Sequence, residues 1–363
     1  MNTNLLNPGA TLGVIGDNLN GCQIAKEAKS LGLNVGVLTT LSESKIKQYA
    51  DFIVVGSFND RSVLKDFAEH CDVVTYATDS IDFASLKYMA QFTKVPQGTD
   101  LLEIVQDRAL EHAFFDQLNV NSVPYMTVVG IDDLYQASDS IGYPAVLKPI
   151  LKTGTQQQEF KIGTKNEIDL TKPLFGHGTF ILESDINYLH KFSVIATRDQ
   201  NGKLVQFPVL EYHGAENGTK VVINSEFTDM KDALAEMKRI TNEVAKNINY
   251  VGTFELSFGF DKNETLYVCG IRPTTTSFGF IFNLGMNINQ YREHLRALSN
   301  LPLPEVQKYT DVILKSFIPE QLPAILKARA SEPDWQLNFE HQCILIPTDT
   351  VIKTEASFNQ YNL

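Results

Sequence analysis

The stretch L-Y-V-C-G-I-R-P-T-T-T-S-F-G, Leu266 to Gly279, runs from a short apolar strand into an arginine, a proline and three consecutive threonines. Such a turn offers donors and hydroxyls, but no carboxylate to hold a metal and no histidine to move a proton. A second turn, Gly16-Asp17-Asn18-Leu19-Asn20-Gly21, follows the apolar run Thr11 to Ile15. Its glycines occupy the first and last positions of a G-x-G-x-x-G frame, but Asn18 stands in the middle, where a side chain obstructs a pyrophosphate approaching the backbone. The frame therefore reads as a tight turn with close helix packing, not as a nicotinamide or flavin site.

Other reactive residue types are dispersed. The four cysteines, Cys22, Cys71, Cys269 and Cys343, form no C-x-x-C pair and read as buried reduced thiols. The seven histidines show no metal-ligand spacing. A net charge of −12 argues against broad nucleic-acid binding, which needs a basic surface, and against attraction to anionic lipid. Without a basic-then-apolar start or an apolar run long enough to span a bilayer, the expected location is the cytoplasm.

Positioning these residues takes several units, and 363 residues with 43% hydrophobic and 20% charged side chains suffice for two or three globular domains. The first hundred residues alternate in βαβ fashion, with strands expected at 11–15, 35–38, 52–55 and 72–76 and helices at 23–31 and 62–71. That pattern predicts a parallel, doubly wound sheet. A second unit begins near Leu101 with a helix through Gln106-Asp107-Arg108 to Leu118. It continues with strands at 125–129, 145–148, 159–163 and 179–183 and a helix at 131–140. From about Ile186 the strands look antiparallel, at 193–198, 204–210, 221–223, 253–260 and 264–271, the last two joined as a hairpin. Leu234, Met237, Ile240, Val244 and Ile248 recur every three or four residues and mark an amphipathic helix.

Three segments together resemble one family: Gly13-Val14-Ile15-Gly16; Gln106-Asp107-Arg108 followed by Gly142-Tyr143-Pro144-Ala145-Val146-Leu147-Lys148; and Val251-Gly252-Thr253-Phe254 with the Pro273 turn. The chain resembles the N5-carboxyaminoimidazole ribonucleotide synthetases, ATP-grasp enzymes of purine biosynthesis. The resemblance implies a preATP-grasp α/β domain over 1–105, a linker helix and small central α+β lid over 106–183, and a C-terminal ATP-grasp domain over 184–363 with an antiparallel sheet and a terminal β subdomain. It also implies ATP and Mg2+ as cofactors, bicarbonate and 5-aminoimidazole ribonucleotide as substrates, a homodimer, and a purine-pathway protein as a further partner.

Carried over residue by residue, the resemblance assigns Arg108, Lys148, Gly154 and Glu183 to the nucleotide, and Tyr76, Asp79 and Arg272 to the substrate. By themselves Arg108 reads as a surface helix residue and Lys148 as a snorkelling strand end. Much of the family pattern is absent. The glycine-rich phosphate loop is replaced by Lys152-Thr153-Gly154-Thr155-Gln156-Gln157-Gln158-Glu159, and the ribose glutamate falls at Lys191, with His190 one residue away. The two metal glutamates fall at Ser257 and Gly270, leaving Glu255, two residues along the strand, as a displaced metal ligand. Loss of one stabilising group at such a site typically lowers the rate by about 10²–10³. The expectation is a divergent paralogue with weak or no catalysis; an active synthetase with a rearranged metal site is the alternative.

Overall fold

The computed structural model describes residues 6–152, 159–176, 178–214, 219–223 and 230–348. Four parallel strands, β1 (Thr11–Ile15), β2 (Asn34–Thr39), β3 (Phe52–Val55) and β4 (Val73–Tyr76), form the first sheet in the order β3-β2-β1-β4. Leu12, Val14, Val35 and Val37 share one core with helix α1 (Leu19–Ser30), while Ile15, Leu38 and Val74 share another with α2 (Arg61–Glu69) and α3 (Phe83–Met89). Burial on both faces explains why these strands read as near-continuous apolar runs. Helix α1 begins four residues earlier than the periodicity predicts. Asn18 caps it, accepting from the Gly21 N–H at 2.9 Å and donating to the Ala77 carbonyl at 2.7 Å. A Cβ on Gly21 would stand 2.5 Å from the Gly16 carbonyl oxygen, so this glycine serves close packing of helix on turn.

The single helix expected from near Leu101 through Gln106-Asp107-Arg108 to Leu118 is two, α4 (Asp100–Gln106) and α5 (Arg108–Gln117). Asp107 between them is extended, and its carboxylate accepts from the Ala109 and Leu110 N–H groups as the cap of α5. The break lets the backbone pair with the central unit: Arg108 N–H donates to Ile150 O and Lys152 N–H to Gln106 O, each at 2.8 Å.

That central unit is an antiparallel sheet of β5 (Tyr125–Val128), β6 (Ala145–Pro149), β7 (Phe160–Ile162) and β8 (Phe180–Ser184), in the order β5-β8-β6-β7. Helix α6 (Ile131–Ile141) covers it, burying Leu134 and Ala137 against Val128, Leu147 and Leu182.

The third sheet is antiparallel, with nine strands among the described residues. It runs from β14 (Leu266–Arg272) and β13 (Gly252–Asp261) through β9 (Tyr188–Arg198), β11 (Leu210–His213) and β12 (Lys220–Ile223) to β15 (Asp311–Ser316), β17 (Cys343–Thr348) and β16 (Gln336–Asn338). Strand β10 (Leu204–Gln206) pairs only with β9. The one strand predicted over 204–210 is thus split, because Pro208 has no N–H to continue a ladder. Helix α7 (Lys231–Asn247) packs Met237, Ile240 and Val244 into the core of Phe254, Leu256 and Phe258 on β13. Helix α8 (Gln290–Leu298) ties the first sheet's layer to the third: Arg292 Nε donates to Glu27 at 2.9 Å. A short helix α9 (Leu322–Arg329) closes the C-terminal part. Three cysteines are buried, but Cys269 is exposed, which corrects its reading as a core thiol. Among the described residues no helix is long and apolar enough to cross a membrane.

Candidate nucleotide and substrate cleft

Where α5, β6 and β8 meet, four side chains form one group. Lys148 and Glu183 are diagonal neighbours across the β6–β8 ladder, in which Val146 faces Glu183 and Lys148 faces Ile181. The Lys148 ammonium lies 2.7 Å from one carboxylate oxygen of Glu183, and His112 Nε2 donates to the other at 2.9 Å. The imidazole of His112 stacks on Tyr125 at 4.1 Å. Burial alone would raise the Glu183 pKa, but the His112 hydrogen bond and the Lys148 charge overcome it and pull the carboxyl down to about 2.

Arg108 belongs to the same region, with Nε donating to Pro149 O at 3.1 Å and an Nη 3.2 Å from Glu159. Gly154 lies outside the described residues. Lys191, where the resemblance expects the ribose glutamate, is exposed on β9. His190 cannot replace it, because adjacent strand residues face opposite ways and His190 is bound to Glu211 at 2.7 Å.

Sequence reasoning missed two contributors here. Glu111, buried on α5, takes a hydrogen bond from Lys152 and another, at 2.8 Å, from the Ile271 N–H of β14. Glu111 and His112 follow Arg108 by three and four residues, the spacing that places side chains on one helix face, and that spacing was the available signal.

The expected metal position is different in kind. Glu255 is buried on β13, where it accepts a hydrogen bond from Ser193 and sits 3.9 Å from Arg272, its cross-strand partner. Ser257 faces Gly270 across the same ladder, so neither supplies a second carboxylate. Among the described residues this position does not fit a magnesium ion: one carboxylate, already compensated by an arginine, is too few hard oxygen donors. Among the described residues no three histidine, cysteine, aspartate or glutamate side chains converge as a metal-holding group.

The threonine turn is interior structure. Thr274, Thr275 and Thr276 are all buried. The Gln290 carboxamide clamps Thr276, accepting from its N–H at 3.1 Å and donating to its carbonyl at 2.6 Å. A Cβ on Gly279 would stand 2.4 Å from that carboxamide. Pro273 O lies 2.7 Å from the Tyr250 hydroxyl and accepts from Gln97 at 3.3 Å. Gln97 in turn accepts from Thr75, and Thr75 accepts from His294 at 2.9 Å. His294 Nδ1 accepts from the Thr253 N–H, so its proton is on Nε2, and burial pushes the imidazole pKa down to about 3.

On the substrate side the assignments divide. Tyr76 is fully buried, its hydroxyl without a partner among the described residues, and it cannot touch a ligand; the four-residue strand β4 turns it into the core beneath the loop. Asp79 is exposed in that loop, and its carbonyl accepts from Gln106 at 3.0 Å. Arg272 is half-exposed beside Glu255.

The ribonucleotide synthetase preATP-grasp domain model matches residues 9–106, and the ATP-grasp domain model matches residues 113–291. An N5-carboxyaminoimidazole ribonucleotide synthase of Staphylococcus aureus (strain MRSA252) is 26% identical over 341 residues, covering 93% of this chain and 90% of that protein. The same-named protein of Bacillus subtilis (strain 168) is 28% identical over 84% of this chain and 80% of its own length. Among solved structures, the S. aureus N5-carboxyaminoimidazole synthetase complexed with ADP superposes with a TM-score of 0.89 at 23% identity, covering 99% of both chains. The Aspergillus clavatus synthase in complex with ADP and 5-aminoimidazole ribonucleotide gives 0.85 at 18% identity, over 98% of both chains. At these identities the structures establish the shared fold. With two adjacent domain models matched in order and curated relatives aligned along nearly its whole length, the chain belongs to the ATP-grasp family, in the branch with a ribonucleotide synthetase preATP-grasp domain and the N5-carboxyaminoimidazole ribonucleotide synthases.

Proposed function

We propose that this protein is a divergent member of the purine-biosynthetic synthetase branch that holds an adenine nucleotide without a divalent cation and turns it over weakly or not at all. The observation that carries this reading is the pairing of Glu255 with Arg272 and Ser193, opposite a ladder position where Ser257 faces Gly270. Phosphoryl transfer relies on cations and fixed donors around the transferring group, and carboxylates must anchor the metal that supplies much of that charge. What this chain offers instead is a set of its own ion pairs. Arg108 meets Glu159, Lys148 meets Glu183, Lys152 meets Glu111 and Arg272 meets Glu255. An entering triphosphate must displace carboxylates from these cations before it gains from them, which weakens binding.

Two roles of the cleft follow from its own residues. Lys148, positioned by Glu183 and His112, is the cation best placed to meet a phosphate once its partner yields, and Arg108 is the second. Such a protein serves as a binding or regulatory subunit of the pathway, with an intact synthetase or the enzyme that consumes its product as partner. Isothermal titration with ATP, with and without magnesium, tests the reading together with phosphate release in the presence of bicarbonate and 5-aminoimidazole ribonucleotide. The expected result is weak binding that magnesium does not strengthen, and no substrate-stimulated phosphate release. Micromolar, magnesium-dependent binding with stimulated release would establish the active synthetase instead.

A further inference from the structure

Strand β13 carries a glycine, Gly259, on the face of the sheet that bears Ser257 and Glu255. Across the ladders Gly259 pairs with Lys191 of β9 on one side and Tyr267 of β14 on the other. A Cβ at Gly259 would stand 2.3 Å from Cδ1 and Cε1 of Tyr188 and 2.6 Å from its Cγ. Three such similar distances put that point over the face of the ring, because an approach to the ring's edge would leave Cγ well beyond the other two. Tyr188, the first residue of β9, therefore folds back and lies flat on the Gly259 backbone, an approach that only glycine admits.

Two neighbours hold the ring there. Its hydroxyl is hydrogen-bonded to the Cys269 thiol, and the ring of Tyr267 stands beside it, with centroids 6.1 Å apart and planes at 59°. Cys269 is the extra residue of a bulge in β14, since Ser257 pairs with Gly270 and Phe258 with Val268, and the bulge re-aims its side chain. The strand covers one face of the Tyr188 ring, and the residue is half-buried. The other face is turned away from the sheet, beneath the central unit: the Glu183 charge is felt at the Tyr188 hydroxyl, and those of Lys191, Glu183 and Lys148 at the Cys269 thiol. A fixed aromatic ring with one covered face is a platform for stacking. A planar heteroaromatic base gains from such a face whatever its substituents, whereas the negative face of the ring offers nothing to a phosphate.

We propose that Tyr188 carries the base of the nucleotide that this cleft takes, its ring stacked against the purine and its hydroxyl kept in place by Cys269. The inference rests on the nucleotide-binding reading and deepens it, assigning base recognition to a residue separate from the Lys148 that meets phosphate. The test titrates the full chain with adenosine and with ATP while the proton resonances of the ligand are followed. Stacking on Tyr188 should move the adenine protons upfield, a ring-current shift that a residue merely supporting the fold would not produce. Tyr188→Leu should weaken adenosine and ATP alike, by about tenfold, and abolish the shift. Tyr188→Phe, which keeps the ring and loses the hydroxyl, should restore both the affinity, to within about twofold, and the shift. Equal binding of adenosine by the unmodified chain and Tyr188→Leu, or binding without the upfield shift, overturns the assignment while the nucleotide reading stands. Adenosine binding of this kind without ATP binding upholds the platform and overturns the phosphate part of that reading, and the absence of binding by either compound overturns both.

Discussion

The Glu111 carboxylate stands 3.3 Å from the point a Cβ on Gly270 would occupy, while accepting the Ile271 N–H of the same strand. A side chain from α5 thus presses on the β14 position where relatives of this family are expected to carry a metal carboxylate. The vacancy at Gly270 and the inward placement of Glu111 are one packing arrangement, further held by Lys152.

That arrangement predicts coupling. Gly270→Ala introduces a Cβ beside Glu111 at a backbone φ of +155°, and should cost about 1–3 kcal/mol in urea unfolding. Glu111→Ala leaves the Ile271 N–H unpaired and should cost a similar amount. The double variant should be less destabilised than the sum, because the crowding disappears; strict additivity would separate the two residues energetically.

Glu183 makes the protein acid-labile. Its carboxyl, held at about 2 in the fold against 4.5 in the unfolded chain, contributes stability that is fully present above pH 4.5 and is lost as pH falls toward 2. The amount is about 3 kcal/mol. Glu183→Gln should flatten the stability profile between these pH values, measured by denaturant titration at successive pH.

Glu293 on α8 works in the opposite sense. It is fully buried, both carboxylate oxygens lack a hydrogen-bond partner among the described residues, and burial pushes its pKa up to about 7. The unfolded chain releases this proton from about pH 4.5, the folded one only near 7, so the group lowers stability progressively as pH rises between them. Glu293→Gln should raise the melting temperature at pH 8 by several degrees and leave it nearly unchanged at pH 4.5.

Nucleotide binding should separate Lys148 from Glu255. Lys148→Ala removes the cation that can meet a phosphate and should weaken ATP binding about tenfold. Glu255→Gln should leave the affinity within about twofold, with or without magnesium, since its carboxylate is committed to Arg272 and Ser193. A magnesium effect abolished by Glu255→Gln would instead identify that carboxylate as a metal ligand.

Much of the scaffold was written in local pattern. Runs such as Thr11 to Ile15 and the three-to-four-residue spacing of Met237, Ile240 and Val244 specify strands and a helix whatever surrounds them, because burial selects apolar residues at a fixed period. The order of those elements, with the Gln106-Asp107-Arg108 and Gly142 to Lys148 segments, was enough for the family. Local pattern also erred where one residue's hydrogen bonds decide: Asp107 divides a helix by capping its second half, and Pro208 divides a strand by lacking an N–H.

The sequence by itself determined that Ser257 and Gly270 bring no carboxylate to the positions where the resemblance expects metal ligands. Only the tertiary structure decided what the remaining charges do. Glu111 is 160 residues from Ile271, Glu183 is 35 from Lys148, and Thr75 is 219 from His294, and no periodicity encodes such pairs. Their partners are set by how three sheets pack, and in a low-dielectric interior that placement fixes which carboxylates are free to bind and which are already spent on the protein's own cations.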